Sequence, residues 1–149
     1  MAEIDSARVE KVRRHYAEVC FACGRDNPIG LHLEPIELDD EGWVHAGFRP
    51  REHYRGAHDA LHGGIAATAI DEIMVWAGVL AEGVVCVTGT LELRYRRPLT
   101  IHDEIVARGR VEDRSGRRLR ISGVLSAADG RTAVEGSGLY LADVDVDAL

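Results

Sequence analysis

The chain has 149 residues, 46% hydrophobic and 29% charged, with a formal net charge of −7. That length suits one domain with a sizeable core, and an ordinary composition without repeats excludes fibrous and low-complexity classes. The acidic balance argues against nonspecific nucleic-acid binding, and three cysteines fit a reduced thiol set better than a disulfide framework.

The first residues, MAEIDSARVEKVRRHY, are charged and lack the apolar stretch of a secretory signal. A cytoplasmic protein is therefore expected. Asp5 or Ser6 is expected to cap a first helix within residues 1–20, with Val9, Val12, Tyr16 and Val19 as its apolar stripe. GRDNPIGL is turn chemistry. LHLEPIEL and GWVHAGFRP alternate as two strands, joined at Asp39-Asp40-Glu41-Gly42. After a loop rich in His, Arg and Gly comes LHGGIAATAIDEIMVWAGVL, Leu61 to Leu80. It reads as a helix of about 20 residues, about 30 Å long, without a polar stripe and so surrounded by protein. Gly83 is its expected stop. Asp71-Glu72 interrupts the run, which is read as too short for a membrane span.

Four strand-like segments follow. In VVCVTGTLELRYRRPL, Leu91, Leu93 and Tyr95 alternate with Glu92, Arg94 and Arg96 until Pro98. DEIVARGRVEDR and RRLRISGVLSAA flank a Ser115-Gly116 hairpin, and Asp129-Gly130 turns the chain into RTAVEGSGLYLADV. One long buried helix among antiparallel strands is an α+β arrangement, with the sheet curled around the helix. Between Arg94 and Arg120 nine arginines face four acids, a local +5 that leaves −12 elsewhere. Such runs are commonly solvated faces, although arginine's fork also suits a phosphate rim.

LHGGIAATAIDE resembles the signature of hotdog-fold acyl-CoA thioesterases, the branch like phenylacetyl-CoA and 4-hydroxybenzoyl-CoA thioesterases, in which an acid stands nine residues after the His of His-Gly-Gly. Counted from His62, that acid is Asp71. CFACGRDNPIGL resembles the segment that opens one branch of the family, and LELRYRRPL resembles its first strand after the central helix. The likeness runs from Cys20 to Tyr140. It implies a single hotdog domain over 1–149, assembled as homodimers or homotetramers and hydrolysing acyl-CoA or carrier-protein thioesters. Coenzyme A enters only as part of the substrate, and no other cofactor is implied.

The same resemblance makes Asp71 the general base or nucleophile and the Gly63 N–H the contact of the thioester oxygen. It also brings in a strand hydroxyl to orient water, for which Thr88 fits better than Thr90. Many family members carry an Asn or Gln upstream of His62, where this chain has Arg55 and Gly56; the alternatives are that Arg55 or His58 substitutes as substrate contact or that the substrate is held differently. His62 shapes the turn and has a secondary place beside the acyl carbonyl. Arg94, Arg96, Arg97 and Arg117 are candidates for the CoA phosphates.

Elementary chemistry agrees with parts of this. A helix N-terminus offers free N–H groups and the positive end of the dipole. Gly63 and Gly64 let a ligand oxygen approach the backbone there, at a cost to the helix of about 1 kcal/mol each. A buried carboxylate such as Asp71 must be paired or face a cavity. Glu72 lies about 100° further around the helix and is expected to pair with an arginine at the helix surface. Gly63 and Asp71 are eight residues apart, about 12 Å along one helix, whereas a reacting carbonyl lies about 3 Å from both donor and attacker. Two helices related by a two-fold axis satisfy this, with Gly63 of one subunit facing Asp71 of the other. Two sites per dimer and an inactive monomer are expected.

Cys20-x-x-Cys23 lacks a second ligand pair for a structural zinc site, with Cys86 in a strand and His15 and His32 out of spacing. A packed turn is expected and no metal. A hydratase on the same scaffold would want a His five residues after Asp71, where Trp76 stands. A non-catalytic acyl-CoA or acyl-ligand binding protein is the other alternative, and a scaffold protein would leave the glycine pair and buried acid unexplained.

Overall fold

The computed structural model describes the backbone from residue 2 to 149 and side chains from Asp5 onward. α1 (Ala2–Val12) begins before either expected cap, so Asp5 lies inside the helix and is buried. A π-helical turn, Arg13–Ala17, continues it. The wider turn adds a residue and rotates everything after it. Val9 and Val12 therefore face the core, but Arg13 and Ala17 take the inner places that Tyr16 and Val19 were expected to fill. Tyr16 and Val19 are exposed. The Arg13 guanidinium donates to the Leu33 carbonyl at 3.1 Å, tying α1 to the next segment.

β1 (Glu34–Leu38) and β2 (Val44–Phe48) form the first hairpin. Asp39 Oδ1 accepts from the N–H groups of Glu41 and Trp43, which closes the acidic turn. α2 (Gly63–Glu82) has the expected length and ends at Gly83, whose φ of +69° is the left-handed cap that glycine adopts most cheaply. By length and composition α2 is apolar enough to cross a membrane, Asp71 and Glu72 notwithstanding. Here the sheet takes up that apolar surface.

β3 (Val84–Tyr95), β4 (Ile105–Ser115), β5 (Arg118–Ala127) and β6 (Thr132–Asp145) complete one six-stranded antiparallel sheet in the order β1-β2-β4-β5-β6-β3. α2 packs on β2, β3, β4 and β5, burying Ile70, Ile73, Met74 and Trp76 against Ile105, Leu119, Ile121 and Leu125. This is the curled sheet around a central helix, the hotdog architecture.

A row of glycines sets how close that helix lies. Gly109, Gly123 and Gly136 are cross-strand neighbours on β4, β5 and β6. A Cβ at Gly109 would fall 2.6 Å from the Ile73 carbonyl, and one at Gly123 would fall 2.9 Å from Ile70 and Met74. The sheet is smooth under the middle turns of α2, so backbone lies almost on backbone.

Candidate active site

β3 is an edge strand that pairs only with β6, and it carries Thr88 opposite Tyr140. Both side chains face α2. The Thr88 hydroxyl donates to Asp71 Oδ1 at 2.9 Å, and the Tyr140 hydroxyl donates to the same oxygen at 2.7 Å. No described residue donates to Oδ2. Asp71 is only half-buried, and one of its carboxylate oxygens is fixed by two donors. The pairing that a buried acid requires thus comes from two hydroxyls. Tyr140 is fully buried, and its phenol is raised well above the usual tyrosine range, by burial first and by Asp71 second. It therefore acts as a neutral donor. Thr90 instead accepts from the Leu139 N–H at 3.3 Å.

Two turns earlier, His62 caps α2. Its Nδ1 accepts from the Gly64 N–H at 2.9 Å, which puts the proton of the neutral ring on Nε2. Gly63 is the first helical residue, so its N–H has no acceptor within the helix. It is exposed, and a Cβ there would lie 3.7 Å from the Tyr95 ring, an ordinary contact. Tyr95, at the end of β3, donates to the Gly63 carbonyl at 2.6 Å and so fixes this end of the helix against the sheet. Its hydroxyl is raised above the usual range by burial.

A cleft of about 360 Å³ opens beside this helix end, lined by Leu61, Ala66, Tyr95, Leu99 and Val134, with Arg96 and Arg97 on its wall. A larger cavity of about 800 Å³ lies between α1 and β1 and touches none of the candidate catalytic residues. The smaller cleft is the one at the Gly63 end of α2, which it reaches through Leu61, Ala66 and Tyr95.

The other expected contacts are spread more widely. Arg55 forms ion pairs with Glu52 and Asp59 and donates to the His58 carbonyl at 2.9 Å, so its guanidinium is committed to its own loop. His58 sits at that loop's tip with φ of +51°. Arg94 is exposed 3.7 Å from Glu92, and Arg96 lies 3.1 Å from Glu135. Arg117 donates to the Ala142 carbonyl at 2.9 Å, at the far end of β6 from Val134 and the helix N-terminus. Of the four arginines, only Arg96 and Arg97 share the cleft.

Glu72 departs from its expected place. Rather than meeting an arginine at the surface, it points away from β3, accepts from Trp76 Nε1 at 3.0 Å and lies 3.8 Å from Cys20 Sγ. The residue is only partly buried, but its carboxyl is enclosed, and that enclosure pushes it up to about 7. The Cys20 thiol is held down to about 5, chiefly by a hydrogen bond from Cys23, whose own thiol is raised.

Sequence reasoning missed Tyr140 and Tyr95. Only the strand pairing carries a signal for them: Tyr140 becomes visible once β3 and β6 are aligned at Thr88.

Residues 58–134, 77 of the 149, match the sequence model of the Thioesterase superfamily. Acyl-coenzyme A thioesterase THEM4 of Bos taurus is 27% identical over 139 residues, covering 93% of this chain and 56% of that protein. THEM4 of Rattus norvegicus is 32% identical over 82 residues, covering 54% of this chain and 34% of that protein. The chain thus spans about half the length of these relatives, or less. Among solved structures, the thioesterase superfamily protein RHA08564 superposes with a TM-score of 0.77 at 24% identity, over 83% of this chain and 60% of that one. A hypothetical thioesterase protein from Streptococcus pneumoniae with coenzyme A gives 0.66 at 17% identity, over 74% and 86%. These likenesses extend the fold, and the matched span carries the family. The chain belongs to the thioesterase superfamily.

Proposed function

We propose that this chain hydrolyses acyl thioesters of coenzyme A or of an acyl carrier to the free acid and thiol. One observation carries the reading: Asp71 Oδ1 is pinned by Thr88 and Tyr140 while Oδ2 is left without a donor among the described residues. A carboxylate held this way is oriented by one oxygen and keeps the other for chemistry, which suits a group that must take a proton or attack a carbonyl. The acyl-coenzyme A thioesterase relatives and the Streptococcus pneumoniae structure with coenzyme A support the substrate class.

The thioester carbonyl oxygen accepts from the Gly63 N–H, where the helix dipole favours the negative charge that develops. Asp71 either removes a proton from the attacking water or attacks the carbonyl carbon itself. In the first route water adds to the carbonyl, the carbon–sulfur bond breaks and the thiol leaves with the proton that Asp71 took. In the second the thiolate leaves an acyl-Asp71 anhydride, which water hydrolyses to the free acid, one of its protons passing to the thiolate. Thr88, besides bonding Asp71, orients the water in this reading. Arg96 and Arg97, on the cleft wall, are the candidates for the CoA phosphates.

The reacting group needs a second subunit. Gly63 and Asp71 stand about 12 Å apart on α2, so the donor of one subunit serves the aspartate of its partner. The 12-residue edge strand β3 leaves one side unpaired, with Val87 to Thr90 exposed. A two-fold related copy covers such an edge by extending the sheet.

Asp71→Asn tests the reading with a panel of acyl-CoAs followed by thiol release. A loss of at least about 100-fold in kcat at unchanged oligomeric state is expected. Activity equal to wild type removes Asp71 from its role. Tight acyl-CoA binding without turnover in the wild type favours an acyl-ligand binding protein instead.

A further inference from the structure

Glu72 is the group that the Asp71 site does not use. Its enclosed carboxyl meets two thiols and an indole N–H, and none of its described neighbours is a basic side chain. An enclosed carboxyl with hydrogen-bond donors but no basic partner among the described residues has room beside it for a bound cation.

The donors are already gathered. Cys20 Sγ, Cys23 Sγ and a Glu72 carboxylate oxygen all lie within 4.8 Å of one another, with Cys20 Sγ 3.8 Å from Oε1. Sulfur and oxygen ligands of tetrahedral zinc, at about 2.3 and 2.1 Å from the ion, stand about 3.6 Å apart. The Cys20–Glu72 separation matches that spacing, and the cluster lies within about an ångström of it throughout. Cys20 is only half-buried, so water can reach the fourth.

The loop that carries the thiols is fixed in advance. The N–H of Leu31 donates to the Phe21 carbonyl at 2.8 Å, that of Leu33 to the Ala22 carbonyl at 3.1 Å, and that of Gly24 to the Cys20 carbonyl at 2.9 Å. A Cβ at Gly24 would lie 2.4 Å from the Cys20 nitrogen, so this turn admits only glycine. The N–H groups of Ala22 and Cys23 are directed at the Cys20 sulfur, as a thiolate ligand requires. Trp76 fixes the orientation of the carboxylate from α2. Cysteine spacing alone offers two ligands; the third comes from a helix fifty residues on.

We propose that Cys20, Cys23 and Glu72 bind a thiophilic divalent cation, zinc by the chemistry of the donors, clamping the loop after α1 onto the middle of α2. The site stands apart from the hydrolase reading: Glu72 lies about 100° around α2 from Asp71 and meets the loop thiols, while Thr88 and Tyr140 bond Asp71.

The test uses the metal alone. Reduced protein, stripped with a chelator, is titrated with zinc against a chromophoric chelator and separately with cobalt. One equivalent per chain, a thiolate-to-cobalt charge-transfer band and a zinc-dependent rise in Tm are expected. Cys20→Ser, at a half-exposed position where folding is least at risk, weakens zinc binding at least about tenfold and reduces the cobalt band. Glu72→Gln also weakens it, while Cys86→Ser leaves both signals unchanged. The proposal is overturned by cobalt spectra without a thiolate band, by zinc affinity indifferent to Cys20→Ser, or by a Cys20–Cys23 disulfide whose reduced form ignores zinc.

Discussion

Tyr140 donates its hydroxyl hydrogen to Asp71 across 2.7 Å, from a position with no solvent access. Because burial keeps the phenol neutral, this is a fixed donor to the Asp71 carboxyl, a bond worth about 1.5 kcal/mol. On the proposed mechanism, Tyr140→Phe lowers kcat by about tenfold or more, with little change in KM. Thr88→Val has a similar effect, and Thr88→Ser retains most of the rate. Steady-state kinetics on one acyl-CoA decides the matter: a Tyr140→Phe enzyme as fast as wild type would leave the hydroxyl with a packing role only.

Gly63 offers a separation of stability from activity. A methyl there meets the Tyr95 ring at an ordinary 3.7 Å, so the protomer has room for it. Alanine is also the better helix former by about 1 kcal/mol. Gly63→Ala should therefore melt no lower than wild type and yet lose turnover, because the methyl occupies the approach to the N–H. Thermal melts run beside the activity assay check both halves. A fully active Gly63→Ala would mean that no ligand comes close to this turn.

The unpaired edge of β3 predicts an obligate assembly. Val87 is 55% exposed in the protomer, and a charge there blunts a strand edge. Val87→Lys is expected to shift the protein to monomer by light scattering and to abolish hydrolysis while keeping its circular dichroism. An active monomer at the concentration of the assay would refute the shared site.

The glycine row predicts a specific instability. Gly109→Ala drives a methyl to 2.6 Å from the Ile73 carbonyl, where only backbone can yield. Overpacking of this kind costs about 1–3 kcal/mol, read as a lower urea midpoint at unchanged slope. Gly116→Ala, with nothing within 4 Å of the added methyl, strains only a turn with positive φ and should cost less.

Much of the architecture was legible before any coordinates. The alternation in LELRY, the Ser115-Gly116 and Asp129-Gly130 turns and the Gly83 stop are local signals, and local geometry obeyed them. The first helix was misjudged beyond Val12 because a π-helical turn changes the phase of the stripe, and no periodicity rule contains that turn. The membrane argument failed for a related reason: two acids do not make α2 polar, and what keeps it in the core is the sheet around it.

Sequence by itself determined that an acid sits mid-helix two turns past a glycine pair, and that the helix is too apolar to lie on a surface. Which way that acid points, and who holds it, was decided by the fold. Asp71 and Glu72 are adjacent in the chain, yet a step of about 100° sends one to the hydroxyls of β3 and β6 and the other to the thiols after α1. Contacts of that kind join residues 17 to 69 positions apart. Helical and strand periodicities are properties of neighbours a few residues apart, so they carry no information about such pairs until the sheet closes around the helix.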